Sequence, residues 1–441
     1  MNEVSASICP WLGTALDVLA DVRQQEKAPR DALARHARGR EGPERARLAR
    51  ILYSAIRDER RLEFLLAEQD WNERSSAARD AALLLGAAVA LGEVEPHDAG
   101  RCLDAFASMR VEFGNLFEAD AIFEEVPEPL SRFALRHSLP DWISQLLMAE
   151  FGDEADQVAA ALNEEPPRTI RANTLRVRDR SMLAATLAES SVTTSLTRHA
   201  PEALVVTDET SLFGLEAYAG GLFEQQDEGS QLVALVTAPP PRGKVLDACA
   251  GSGGKALALA ARLQGRGTVF AVDQHPGRID ALRLRARRAG ASNLRIAVVA
   301  EDRWSDEVAA FARHADRILL DVPCSGIGSF RRRPEARWQL LPEDLPRLAQ
   351  IQDELLDRAV GCLRPGARIV YATCTLLAAE NQARVEAALE RHPGLEVMRI
   401  TEILGKAVAG PIADPSGTFL SLRPDVHGTD GFFAAVLRRP R

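Results

Sequence analysis

Val245-Leu-Asp247-Ala-Cys249-Ala-Gly251-Ser-Gly253-Gly254-Lys255 decides the fold. A short apolar run ends in an acid, passes through glycines and opens into the helical pattern Lys255 to Leu263. Glycines let the backbone turn sharply and approach a ligand, and a helix N-terminus offers free N–H groups. Further strand-like runs follow at Gly267 to Asp273, Leu294 to Val299, Ile318 to Asp321, Arg368 to Ala372 and Gly431 to Leu437. Helical stretches at Arg278 to Ala289 and Pro346 to Cys362 separate them. Alternation of this kind predicts a doubly wound α/β sheet over residues 221–441.

Working outward, Pro166-Pro-Arg-Thr-Ile-Arg171-Ala-Asn173 reads as a strand after a proline stop, and Thr193 to Leu196 and Ala203 to Val206 as two more. Leu139-Pro140-Asp-Trp142-Ile opens a helix with proline near its first turn. Residues 136–220 therefore form a small α+β connector. Residues 1–135 are helical throughout, with apolar positions three and four apart in Leu12 to Leu19 and Ala46 to Leu52, and a buried helix at Ala77 to Leu91.

The 441 residues exceed a single core, in keeping with two or three domains. No apolar run is long enough to span a membrane, and the start lacks the pattern of a signal peptide. Six cysteines without a Cys-x-x-Cys pair, and no zincin histidines, suggest reduced thiols in a cytoplasm and no metal site. A net charge of -9 argues against indiscriminate nucleic-acid binding, yet leaves room for local basic patches. Arg278 to Arg288 reads as a solvated helix face. Arg331-Arg332-Arg333, next to the Cys324 loop, lies where a phosphate backbone would run if a base entered the crevice.

The chemistry concentrates at strand ends, where open α/β sheets bind ligands. Asp273 ends the second strand, about 26 residues after Asp247, where an acid reaches ribose hydroxyls. Asp302, after the third strand, is placed to meet an adenine edge. The glycine turn is neither a Walker A loop nor Gly-x-Gly-x-x-Gly, so a nucleoside cofactor without pyrophosphate, such as S-adenosylmethionine, fits. Asp321-Val-Pro-Cys324-Ser and Tyr371-Ala-Thr-Cys374-Thr bring two thiols to the same rim. A thiolate that adds to an electrophilic ring makes the neighbouring ring carbon nucleophilic, and Asp321 is placed to assist at a ring nitrogen. The residues alone leave open which thiol attacks.

These segments resemble the Sun/Fmu (RsmB-like) family of S-adenosylmethionine-dependent RNA cytosine-C5 methyltransferases. Further likeness lies in Arg332-Arg-Pro334-Glu-Ala-Arg-Trp338, Gln226-Asp227-Glu-Gly-Ser-Gln231 and Thr429-Asp430-Gly-Phe-Phe. The resemblance spans roughly residues 140–441, and the helical start is similar to the NusB-like RNA-binding domain of one family branch. It implies an all-α NusB-like domain, an α+β connector and a Rossmann-like methyltransferase domain. It also implies Cys374 as nucleophile, Cys324 for product release, and a cofactor held by Cys249, Ala250, Gly251, Ser252, Gly253, Gly254, Lys255, Asp273, Arg278, Asp302 and Asp321. RNA would meet Arg331, Arg332, Arg333, Arg171 and Asn173. Cys249 would contact the cofactor by its backbone, and Cys9, Cys102 and Cys362 read as packing residues. DNA cytosine methyltransferases attack with the Pro-Cys thiol, so reversed roles remain an alternative. The glycine loop departs from the family's usual Cys-Ala-Ala-Pro-Gly-Gly-Lys-Thr. The implied substrate is small-subunit (16S) ribosomal RNA, with transfer RNA, or a catalytically impaired RNA-binding assembly factor, as alternatives.

Overall fold

The computed structural model describes residues 9–24, 28–40, 42–67, 71–301 and 303–440. The chain divides into two units, residues 1–164 with 330–341, and residues 165–329 with 342–441. The boundary expected near residue 135 falls inside the first unit, and the expected connector falls largely in the second.

The first unit is helical. Its core is built around the helix Ser76–Ala90, buried on all sides from Asp80 to Val89, with one face each of Leu12–Gln24, Gly42–Arg57 and Pro96–Ala107. Ser75 caps the Ser76–Ala90 helix by accepting the Ala78 N–H, which satisfies one of the helix's unpaired donors. Pro140 stands at the N-cap of Asp141–Phe151, where its missing N–H does no harm. The segment Phe330–Leu341 belongs to this unit, and Trp338 packs on the same core.

The second unit holds two sheets. The smaller is antiparallel in the order β2 (Thr194–Leu196), β3 (Ala203–Val206), β1 (Arg168–Ala172), β4 (Phe223–Gln225). The larger has β5 (Lys244–Asp247), β6 (Thr268–Asp273), β7 (Leu294–Val298), β8 (Arg317–Asp321), β9 (Arg368–Thr373), β10 (Glu396–Met398), β11 (Leu420–Leu422) and β12 (Phe432–Arg438). It runs β10-β12-β9-β8-β5-β6-β7, with β11 also on β12. The five strands from β9 to β7 are parallel, and β12 is antiparallel to β9.

Both faces of this sheet are covered, as period-2 burial requires of an α/β core. Val245, Leu319, Val370 and Ala434 join one apolar cluster, while Leu246, Leu320, Tyr371 and Phe433 join the other. Among the described residues, no helix is long and apolar enough to cross a membrane.

Candidate active site

Strand order reverses between β5 and β8, and the chain ends that matter converge there. Asp247 closes β5, Asp321 closes β8 and Thr373 closes β9, with Cys374 next. Val322 N donates to Ala372 O at 3.0 Å, carrying β8 pairing into the Cys324 loop. Crevices form at such switch points because neighbouring connections leave on opposite faces.

The sulfurs of Cys324 and Cys374 stand 3.5 Å apart, and the Cys374 N–H donates to the Cys324 sulfur at 3.3 Å. Gly328 fixes this approach: its N–H donates to Cys374 O at 3.0 Å, and its O accepts from Gly431 N at 2.8 Å. A Cβ on Gly328 would lie 2.5 Å from Gly431 O and 2.9 Å from Cys374 O, so only glycine fits. A hydrogen bond from the Cys324 thiol, together with the Lys255 charge, holds Cys374 below the ordinary thiol range despite burial. Cys324 is pushed up by that same bond, by burial, by the Cys374 charge and then by the Glu380 charge.

Lys255 Nζ pairs with Asp321 Oδ2 at 2.7 Å and faces the Phe432 ring at 5.1 Å. Burial opposes the lysine charge, but Asp321 more than offsets it and holds the ammonium above its usual range.

The glycine loop lies beside Asp273, whose carboxylate accepts Gly251 N and His275 N, each at 2.9 Å. Gly251 has φ +55° and nothing within 4 Å of a Cβ position, so its backbone faces open space. Gly253, at φ +88°, packs so closely on Leu282 that a Cβ would come within 2.0 Å of it. Asp247 is fully buried and neither carboxylate oxygen reaches a hydrogen-bond partner. Burial first, and then the Asp321 charge, pushes its pKa up to about 7; the Cys249 N–H leans toward it without full hydrogen-bond geometry and offsets part of this.

This geometry agrees with the comparisons. The profile described as "16S rRNA methyltransferase RsmB/F" matches residues 234–438, and one described as an RsmF/B-like ferredoxin-like domain matches residues 139–212. The probable ribosomal RNA small subunit methyltransferase B of Synechocystis sp. is 32% identical over 69% of this chain and 67% of its own length. Its Bacillus subtilis namesake is 30% identical over 72% of this chain and 70% of its own. The chain belongs to the RsmB/F methyltransferase family. A crystal structure titled PH0851 superposes with a TM-score of 0.75 over 97% of this chain and 99% of that one, at 23% identity, which bears on the fold.

As an RsmB/F methyltransferase the protein depends on S-adenosylmethionine. The loop fits that cofactor. Asp247 is an orphaned buried carboxylate suited to a cationic group. Asp273 is held by two N–H donors and keeps acceptor capacity for hydroxyls. Cys249 stays a thiol, since burial and then the charges of Asp247, Asp321 and Asp273 raise its pKa. Ala250 N is tied to Val272 O at 2.9 Å, and Ser252 O to Arg285 at 2.7 Å. Arg278 is exposed in the first turn of the helix Pro276–Ala289. Asp302 lies outside the described residues.

Three RNA expectations are corrected. Arg171 is buried, donating to Gln226 Oε1 and to Gly254 O at 2.9 Å, so it braces the start of the glycine-loop helix. Asn173 is buried too, with Nδ2 donating to Gly221 O at 2.7 Å and Ala289 O at 2.9 Å. Arg331 is 2% exposed, out of reach of a phosphate. Arg333 stays exposed, with Glu335 3.3 Å away. The stretch Arg278 to Arg288 is only partly a solvated face. Arg285 and Arg288 both grip the buried Glu224, and Arg288 stacks 3.7 Å from the Tyr218 ring centre. Glu224 and Glu380 were missed by sequence reasoning, and nothing local to either marks it.

Proposed function

We propose that the protein methylates carbon 5 of a cytosine in small-subunit (16S) ribosomal RNA, through a thioether between Cys374 and carbon 6. The contact of two thiols at 3.5 Å, beside the Lys255–Asp321 pair, carries this reading. The names of the relatives support the RNA class.

The steps follow from the groups present. The Cys374 thiolate, favoured by the Lys255 charge, attacks carbon 6 and forms the C–S bond. The electron pair moves toward ring N3, which takes a proton from water and returns it at release; the ionised Asp321 accepts the N3–H hydrogen bond, and carbon 5 becomes enamine-like. Bound S-adenosylmethionine would supply the methyl group as an electrophile, its sulfonium S–CH3 bond breaking to leave the neutral thioether S-adenosylhomocysteine. Carbon 5 takes that group, its proton passes to water, and the C–S bond breaks with its electrons returning to Cys374. With Cys324 as donor in the thiol contact, its S–H stabilises the departing thiolate, which supports a role for Cys324 in release. The helical unit and exposed arginines such as Arg333 bind the RNA backbone. The protein would work where ribosomal RNA is made, in the cytoplasm.

The test separates the thiols. Cys374→Ala should form no adduct and transfer no methyl group. Cys324→Ala should methylate once and accumulate a covalent protein–RNA complex, visible as a slower band on a denaturing gel. An adduct that appears only when Cys324 is kept would reverse the roles. If both variants stay active and trap nothing, the covalent mechanism is wrong. Bisulfite sequencing of total RNA with and without the gene identifies the substrate.

A further inference from the structure

One buried carboxylate holds both cysteine loops. Glu380 is 1% exposed and ends the short turn Ala378–Glu380 that follows the Cys374 loop. It accepts the Ser325 N–H at 2.9 Å and Gln352 Nε2 at 3.0 Å on one oxygen, and the Ser325 hydroxyl on the other. The Ser325 hydroxyl also meets Thr375 Oγ1 at 2.7 Å. Ser325 and Thr375 are the residues directly after Cys324 and Cys374. Gln352 Nε2 reaches Pro323 O at 2.9 Å, just before Cys324, and the Tyr371 hydroxyl donates to Glu380 O at 2.6 Å.

All these partners are neutral, and among the described residues no cation pairs with Glu380. An anion buried this way is costly unless neutral donors surround it, and its field then acts on neighbouring titratable groups. Those groups divide. The Glu380 charge raises Cys324, whose charge in turn raises Tyr371, while at Cys374 the Lys255 charge opposes those of Asp321 and Asp430. Asp321 is compensated by its ion pair with Lys255.

We propose that Glu380 is a positioning residue for the methyl transfer: it sets the spacing of the two thiols and keeps the proton on Cys324, so that the anion resides on Cys374. The inference rests on the reading of Cys374 as nucleophile. It explains how adjacent thiols take unlike roles, since a second thiolate would compete for carbon 6 and could not donate to the departing sulfur.

Site-resolved alkylation of the full chain by iodoacetamide, followed by peptide mass spectrometry across pH, tests the proton bias without RNA or cofactor. The parent protein should react at Cys374 at lower pH than at Cys324. Glu380→Gln keeps the reach and removes the charge, so Cys324 alkylation near pH 8 should rise roughly tenfold, the effect of about one pKa unit. With RNA, kcat should fall while KM stays. Unchanged selectivity at every pH, or unchanged kcat, overturns the proposal. If Glu380→Gln does not fold, Glu380→Asp decides: the charge remains, so selectivity should persist, but the shorter reach should lower kcat, and full turnover overturns the proposal. Failure of Cys324→Ala to trap RNA would sink the nucleophile reading separately, and the alkylation profile would still decide what Glu380 does to the thiols.

Discussion

The ammonium of Lys255 lies 2.7 Å from the carboxylate of Asp321, sixty-six residues further along the chain. This pair ties the first turn of the helix Gly254–Arg262 to the end of β8. Phe432 closes the other side of the ammonium.

Lys255→Met should therefore lower stability by about 2–4 kcal/mol, because it leaves Asp321 as a mostly buried charge without its partner. The folded chain holds the Lys255 proton more tightly than the unfolded chain does. The stabilisation is thus complete below the ordinary value of 10.5 and is lost as pH rises through the higher folded value. Denaturant melts of the two proteins should differ at neutral pH and converge at strongly alkaline pH. A constant difference across that range would count against the ion pair as the cause.

Asp247 predicts an opposite trade. Its folded pKa of about 7 lies above the ordinary 3.8, so between those values the folded state keeps a proton that the unfolded chain has lost. Stability should then fall as pH rises through that window, by at most about 4 kcal/mol, and level off above it. Asp247→Asn should abolish this slope and stabilise the cofactor-free protein at pH above 7. The same change should weaken S-adenosylmethionine binding in calorimetry, since the cofactor's cationic group loses its counter-charge. In the parent protein, affinity should decline as pH drops below that value. A variant that gains no stability, or binds as the parent does, would refute this account of the carboxylate.

At Gly328 the argument is steric. An alanine there meets the backbone of Gly431 and Cys374, and backbone cannot swing away as a side chain can. Gly328→Ala should cost about 1–3 kcal/mol and separate the thiols, lowering adduct formation while cofactor binding persists. Wild-type adduct yield would show that the thiol contact does not depend on this packing.

Much of the second unit was legible because its signals are local. The strand runs ending in Asp247, Asp273, Asp321 and Thr373 are short, almost continuously buried apolar runs closed by an acid, or by a threonine with a thiol next, so pattern and chemistry coincide. β4, β10 and β11 were not, since three residues are too few for a period and each is set by distant pairing, β10 and β11 both with β12. Arg331 and Arg171 read as surface charge because type, not burial, is visible in sequence. Their enclosure depends on partners far along the chain. The assignment of Phe330–Leu341 to the helical unit is equally non-local.

That segment carries the last prediction. Arg337 is fully buried in the helical unit, where its guanidinium donates to Asn163 Oδ1 at 2.6 Å, Ser138 O at 3.2 Å and Arg57 O at 3.3 Å. It also lies 5.4 Å from the Phe330 ring, while Trp338 Nε1 reaches Ile56 O at 2.7 Å. Burial pushes the guanidinium pKa down, yet the surrounding carbonyls suit only a donor. Arg337→Ala would strand those acceptors and leave a cavity, so the helical unit should lose about 3–5 kcal/mol. Hydrogen exchange should rise in residues 330–341 and around Ser138 and Asn163, with β5 to β9 staying protected. The guanidinium serves Asn163 Oδ1, Ser138 O and Arg57 O through Nη1 and Leu162 O at 3.4 Å through Nη2, whereas lysine brings one nitrogen, so Arg337→Lys should restore little. Deleting residues 1–135 would bare Trp338 in the same way, so loss of RNA affinity in that truncation is informative only beside the point variant. If Arg337→Ala exchanges like the parent, the segment is held by its apolar side chains alone.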